Sequence, residues 1–241
     1  MNLKKEIGVK TIFVSLVVSL MTILLLGILL NFEVTPTTLG SELLSINETS
    51  TQSANAVTSV VTYFRGLDTL GEVTILFLSI FGIGLGLDKS EEKENIFSYN
   101  NALLKIGVEI LFPLIILFGL YIIIHGHLSP GGGFQGGVII ASGFLLMFLA
   151  KNNDFKLNHK ITVVTEALSG AGFIVLGILG LLVADRFLGN FLPLGTMGNL
   201  FSGGIIPLIY IFVGIKVSAE ITALVEYFIR IKEVREVTDV R

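Results

Sequence analysis

The sequence predicts an all-α polytopic membrane protein of six transmembrane helices, two followed by four, with both termini cytoplasmic. Three observations carry this reading. The 241 residues are 52% hydrophobic and only 15% charged, with a mean hydropathy of +0.85, too apolar for a soluble domain of this size. Apolar runs long enough to cross about 30 Å of hydrocarbon recur along the chain, separated by short polar segments. Of the 16 Lys and Arg residues, 13 fall on one side of the resulting topology: Lys4, Lys5, Lys10, Lys89, Lys93, Lys105, Lys151, Lys156, Lys160, Arg230, Lys232, Arg235 and Arg241. Arg65 and Arg186 fall toward the other side and Lys216 lies within a span, so the positive-inside rule puts the basic side in the cytoplasm. The absence of cysteine excludes disulfides, thiolate metal sites and cysteine nucleophiles. No basic patch points to nucleic acid.

Residues 7–30 are a nearly unbroken apolar run of 24 residues after Lys4 and Lys5, enough to span the bilayer at about 1.5 Å per residue. The run is too long for a signal-peptide core and no small-residue cleavage pattern follows, so it reads as an uncleaved first span. Residues 31–56 are rich in Thr, Ser and Asn, carry Glu33, Glu42 and Glu48 but no Lys or Arg, and read as an external loop. The second span is unusual. Clean apolar sequence covers only residues 73–87, too few to cross, so the helix must begin earlier and bring Glu72 and Asp68 into the membrane. Arg65, Asp68 and Glu72 follow i, i+3, i+7 spacing and share a face, on which Arg65 can pair with Asp68. Gly82, Gly84 and Gly86 loosen the inner end.

Residues 88–100 form a charged linker that separates a two-helix unit, 1–87, from a four-helix unit, 101–230, with a cytoplasmic tail at 231–241. The four spans run over about 103–124, 134–150, 163–184 and 204–229. Residues 185–203, with Pro193 and several glycines, read as an external loop or short re-entrant turn.

The stretch from His125 to Gly143, HGHLSPGGGFQGGVIIASG, lies between two of these spans. Gly126, Gly131, Gly132, Gly133, Gly136 and Gly137 with Pro130 make regular helix untenable from Leu128 to Gly133, and Ser129–Pro130 reads as an N-cap and first-turn proline. From there Gly133, Gly137 and Ala141 recur every fourth residue, a face that lets a neighbouring helix approach closely in lipid.

Ionisable residues inside lipid cost at least a few kcal/mol near the centre, so each is a functional suspect. Asp68 and Glu72, one turn apart, can pass a proton or a small hard cation between carboxylates; the alternative is pairing with Arg65 and a neighbouring subunit. Lys216 and Glu220, at i and i+4 near the middle of the last span, are either a proton relay or an internal ion pair. Glu109 has no partner in its own helix and must meet one elsewhere. Glu166, at the opening of the fifth span, reads as a favourable first-turn acid. His125 and His127 lack a third ligand for a metal and read as hydrogen-bonding the exposed backbone of the glycine turn. Ser142 reads as part of a packing face.

The motif His125–Gly137 closely resembles the GHxxPGGGFxGG hallmark of the B subunit of Mrp-type multisubunit sodium/proton antiporters, shared with the matching subunit of membrane-bound hydrogenases and sulfane-sulfur reductases. The stretch LPLGTMGNLFSGGIIPLIYIFVGIKV, from Leu192 to Val217, is similar to that family's external loop and final helix. FRGLDTLGE, from Phe64 to Glu72, resembles the C-terminal end of the antiporter's large A subunit, so the chain looks like a fusion of two neighbouring modules. The resemblance implies a non-enzymatic, multi-pass subunit of the cell membrane that binds no cofactor and serves the transport of sodium and protons. Its implied partners are other Mrp-type membrane subunits, both antiporter-like and small helical ones, with or without a redox arm. It also implies a sodium path through Asp68 and Glu72. Two other readings stay open: a scaffold that touches no ions, and a self-sufficient carrier, which lacks the inverted repeat or broken-helix pair that carriers use.

Overall fold

In a computed structural model, residues 9–30, 38–86, 102–151, 155 and 157–239 are described. They form helices α1 (Val9–Leu30), α2 (Leu39–Ser50), α3 (Ala56–Ser59), α4 (Gly66–Gly86), α5 (Ala102–Ile124), α6 (Gly133–Lys151), α7 (His159–Ala184) and α8 (Ile206–Asp239), with a π-helical turn at Val60–Phe64. Among the described residues there is no strand. Among the described residues five helices are long and apolar enough to cross a membrane: Gly66–Leu85, Ala102–Ile124, Gly133–Lys151, Lys160–Ala184 and Ile206–Ile229. The charged linker at 88–100 and the basic residues Lys4 and Lys5 lie outside the described residues.

The chain divides into two compact units, Met1–Gly40 and Ser41–Arg241. In the first, α1 is a 22-residue apolar helix. In the second, α8 is the common element and packs against α4, α5, α6 and α7. Its inward side, Ile206, Ile209, Val213 and Val217, with Ile205 just before it, is 0–1% exposed. Val73 of α4, Phe173 and Leu176 of α7 and Leu188 of the following loop complete this core. Pro113 lies inside α5, tolerated in a span because neighbouring helices re-satisfy the backbone it frees.

The small-residue face of α6 meets α8 as expected. A Cβ at Gly133 would lie 2.7 Å from the Tyr210 carbonyl oxygen, and one at Gly137 would lie 2.8 Å from that of Gly214. Ala141 is 1% exposed. Such backbone contact is how helices associate in lipid, where no hydrophobic drive separates protein from solvent.

Three expectations need correction. The segment 31–56 is not all loop, since α2 occupies Leu39–Ser50 with Glu42 in its first turn. Its end is tied by Asn47, whose carbonyl accepts from Thr51 N (3.0 Å) and whose Nδ2 donates to Ser53 O (2.9 Å). Side chain to backbone closure of this kind leaves no apolar period to read. The new helix also does not start at Ser129–Pro130. The chain first folds back on α5, with Leu128 and Ser129 N–H both donating to the His125 carbonyl at 2.9 Å. Gly132 then takes φ +138°, so α6 opens only at Gly133. Finally, Ser142 is exposed and donates to Ile139 O (2.6 Å); the packing face is carried by its neighbours Ala141 and Gly143.

Candidate functional site

Lys216 and Glu220 share one face of α8, as i, i+4 spacing dictates. The Lys216 ammonium lies 2.6 Å from Glu220 Oε1 and 3.9 Å from Glu166 Oε1. All three side chains are sheltered: Lys216 is 11% exposed, Glu220 1% and Glu166 19%. Glu220 Oε1 is thus held in the ion pair, while Oε2 has no hydrogen-bond partner among the described residues. Lys216 also stands over the Phe77 ring of α4, 4.9 Å from its centroid, a cation–π contact strengthened by the low dielectric. Its side chain borders a cavity of about 160 Å³ between α4, α7 and α8, with Thr74, Phe77, Gly170 and Phe173. The stem runs beside Gly170, where a Cβ would lie in ordinary contact with Lys216 Cδ, Cε and Nζ at 3.6 Å.

Glu166 was expected in a first helical turn. The structure places it two turns inside α7, because Asn158 caps that helix by accepting the Lys160 N–H at 3.0 Å and its first turn holds no acid. The signal that could have found its role is the absence of any other acid between Lys160 and Ala184, opposite an intramembrane lysine.

Asp68 and Glu72 stand on the first two turns of α4, both exposed. Asp68 accepts from Arg65 Nε (2.6 Å) and is ion-paired to its guanidinium. The preceding π-helical turn ends at Arg65 (φ −122°, ψ 33°), and Thr69 Oγ1 donates to the Val61 carbonyl freed by that break (2.8 Å). π-Turns recur at functional sites, and here one turns Arg65 toward Asp68. Neither acid lines the cavity beside Lys216. Glu109 finds its partner in the next helix, 2.8 Å from Lys151 Nζ, so this acid bridges α5 to the end of α6.

The glycine hairpin has a different role from the one expected of its histidines. His125 stacks on Tyr121 (centroids 4.2 Å apart), and its Nδ1 lies 3.1 Å from the Tyr121 carbonyl, within its own helix end. His127 is fully buried and its ring nitrogens have no hydrogen-bond partner among the described residues. Burial holds its imidazole below the usual histidine range. The hairpin backbone is served instead by residues 53–58. Asn55 Nδ2 donates to the Gly126 and Ser129 carbonyls (3.0 Å each), Thr58 Oγ1 to Gly126 O (2.6 Å) and Ser53 Oγ to His127 O (2.8 Å). The histidine reading failed because residues 53–58 are about 70 positions away and already satisfy the carbonyls.

The loop after α7 is non-helical, as expected for residues 185–203, and is anchored through Asn190. That side chain donates to Ser50 O (3.1 Å) and accepts from Ile205 N–H (2.9 Å) at the start of α8. Arg186 lies over the Tyr63 ring at 5.2 Å.

Comparison with known proteins adds the family. Residues 103–223, half of the chain, match the model of a domain related to the MnhB subunit of Na+/H+ antiporter. An uncharacterised protein of Methanocaldococcus jannaschii is 30% identical over 198 residues, 68% of this chain and 73% of that one. A Staphylococcus aureus (strain Newman) protein named as antiporter subunit mnhB2 is 38% identical over 86 residues, 36% of this chain and 55% of that one. The chain thus spans about half the length of that antiporter relative. Among solved structures, a chain of the membrane-bound sulfane sulfur reductase, an archaeal respiratory membrane complex, superimposes with a TM-score of 0.76 at 39% identity, over 89% of this chain and 98% of that one. A chain of the Mrp complex from Dietzia sp. DQ12-45-1b superimposes with a TM-score of 0.68 over 91% of this chain and 26% of that one; at 24% identity this likeness speaks of fold. The chain is therefore a multi-pass membrane protein that belongs to the family related to the MnhB subunit of sodium/proton antiporters.

Proposed function

We propose that this chain is a non-catalytic membrane subunit of an Mrp-type cation/proton antiporter module and contributes side chains to the cation path. The observation that carries the reading is the sheltered cluster of Lys216, Glu220 and Glu166 within the spans, bordered by a cavity that reaches α4. Buried charge of this kind is expensive in lipid and is kept where ions or protons move. In this reading six helices span the membrane, α1 being the first, and the basic flanks put both termini in the cytoplasm. A two-helix unit (1–87) is joined by the linker 88–100 to a four-helix unit (101–230) with a short tail (231–241).

Asp68 and Glu72 sit where a cation would be gathered at the external end of α4, the side that Arg186 and the glycine hairpin share. The parent complex is an antiporter, with or without a redox arm of the hydrogenase or sulfur-reductase kind, and sodium is the transported cation. The test is Asp68→Asn and Glu72→Gln in the intact complex, followed in proteoliposomes by sodium-driven proton movement. Loss of exchange at normal assembly supports the role, and wild-type exchange removes it. A scaffold role is the second reading, favoured by the engagement of Asp68 with Arg65 and by the backbone contact of α6 with α8.

A further inference from the structure

Two carboxylates and one ammonium meet in the Lys216 cluster, so with all three ionised its net charge is −1. Among the described residues that border it, none brings a balancing charge. The part of α4 that borders the cavity offers Thr74 and Phe77, and α6 carries no ionisable residue from Gly133 to Ala150. On α7, Glu166 is the sole acid between Lys160 and Ala184, and the next titratable groups on α8, Glu226 and Tyr227, lie more than a turn beyond Glu220. A net negative charge in a low-dielectric setting draws one further positive charge, either a proton on a carboxylate or a small cation between carboxylates.

Two features show where that charge would sit. Glu220 is 1% exposed; its Oε1 is ion-paired to Lys216 at 2.6 Å, whereas its Oε2 has no hydrogen-bond partner among the described residues. A buried carboxylate oxygen with unfilled lone pairs is a ligand atom awaiting a cation or a proton. Lys216, in turn, is ion-paired to Glu220 and has further neighbours within reach. It lies 2.6 Å from Glu220, 3.9 Å from Glu166 and 4.9 Å from the Phe77 centroid, and its stem runs along Gly170 and the cavity. A swing of the lysine toward Glu166 would uncover Glu220, and the cavity of about 160 Å³ that Lys216 borders leaves its side chain space on the α4 side.

We propose that Glu220, Glu166 and Lys216 form a single-occupancy exchange site for one proton or one sodium ion, with Lys216 as its tethered, movable counter-charge. The exchange balances in charge: a protonated carboxyl and an arriving sodium ion become a sodium carboxylate and a released proton. This rests on the cation-path reading above but makes a separate demand, that Glu166 is a member of the site.

The test uses the membrane complex purified through a tag on this chain. In detergent, adding sodium chloride, with choline chloride as control, should release about one proton per complex from the site, read with a pH indicator. In Glu166→Gln the cluster becomes neutral, and the sodium concentration for half-maximal release should rise by at least about tenfold. Lys216→Met, which keeps the stem, should move the pH profile of release upward, because the ammonium no longer opposes protonation; Lys216→Arg should restore the profile. Glu166→Gln and Lys216→Met complexes that assemble and release protons as wild type overturn the proposal. Exchange measured in parallel in proteoliposomes separates the two ideas. Wild-type exchange with unaltered variants sinks the site and leaves the subunit role standing, whereas variant-sensitive release without exchange does the reverse.

Discussion

The Tyr210 hydroxyl on α8 donates to Thr58 Oγ1 at 3.0 Å, and Thr58 donates in turn to the Gly126 carbonyl at 2.6 Å. This two-bond chain joins α8, α3 and the glycine hairpin, three segments far apart in sequence, in a buried setting. Removing the end of such a chain costs less than removing its middle, because the middle takes a partner from both sides, even though Asn55 still serves the Gly126 carbonyl.

Tyr210→Phe is therefore expected to destabilise the fold by about 1 kcal/mol, and Thr58→Val by about 1–3 kcal/mol, since the latter leaves the tyrosine hydroxyl without its acceptor. Reversible unfolding in mixed micelles measures both. Equal effects would mean the hydroxyls act independently.

Gly137→Ala should cost about 1–3 kcal/mol and loosen α6 from α8, because the added methyl meets the Gly214 carbonyl 2.8 Å away, backbone that cannot step aside. Gly82→Ala, on α4 with nothing within 4 Å, should change stability by no more than about 0.5 kcal/mol. Cysteine crosslinking between α6 and α8 in each variant reports the separation directly.

Asn190→Ala should cost about 1–2 kcal/mol, since it strips the Ile205 N–H and the Ser50 carbonyl of their shared partner. Limited proteolysis should then cut within residues 190–205 sooner than in wild type.

The pH dependence of the glycine hairpin follows from His127, whose burial keeps the folded-state imidazole below its ordinary value of 6.5. A group with a depressed folded value that is neutral when deprotonated binds more protons unfolded than folded. The hairpin should therefore lose stability as the pH falls below 6.5 toward the lower folded value, and be fully stable above it. Hydrogen exchange of residues 125–132 between pH about 7.5 and 5 measures this, and His127→Gln should flatten the profile.

Much of this architecture is readable along the chain. The four spans from α5 to α8 fall close to their predicted ranges because unbroken apolar length is set by bilayer thickness, a constraint that needs no knowledge of packing. The α6 face of Gly133, Gly137 and Ala141 is equally legible, since helical periodicity alone aligns every fourth residue. Helix α2 was not legible, because it is closed by Asn47 and Thr51 rather than by an apolar stripe.

By itself the sequence determined the all-helical class, the long spans, the close-packing face of α6 and the placing of Lys216 and Glu220 on one face of a helix, all consequences of local composition and helical period. Only the tertiary structure decided that Glu166 of α7 and Phe77 of α4 converge on Lys216, that Lys151 meets Glu109, and that residues 53–58 rather than the histidines secure the hairpin. Those contacts join residues tens to more than a hundred positions apart. Their geometry depends on how helices rotate and cross against one another, which no single segment specifies.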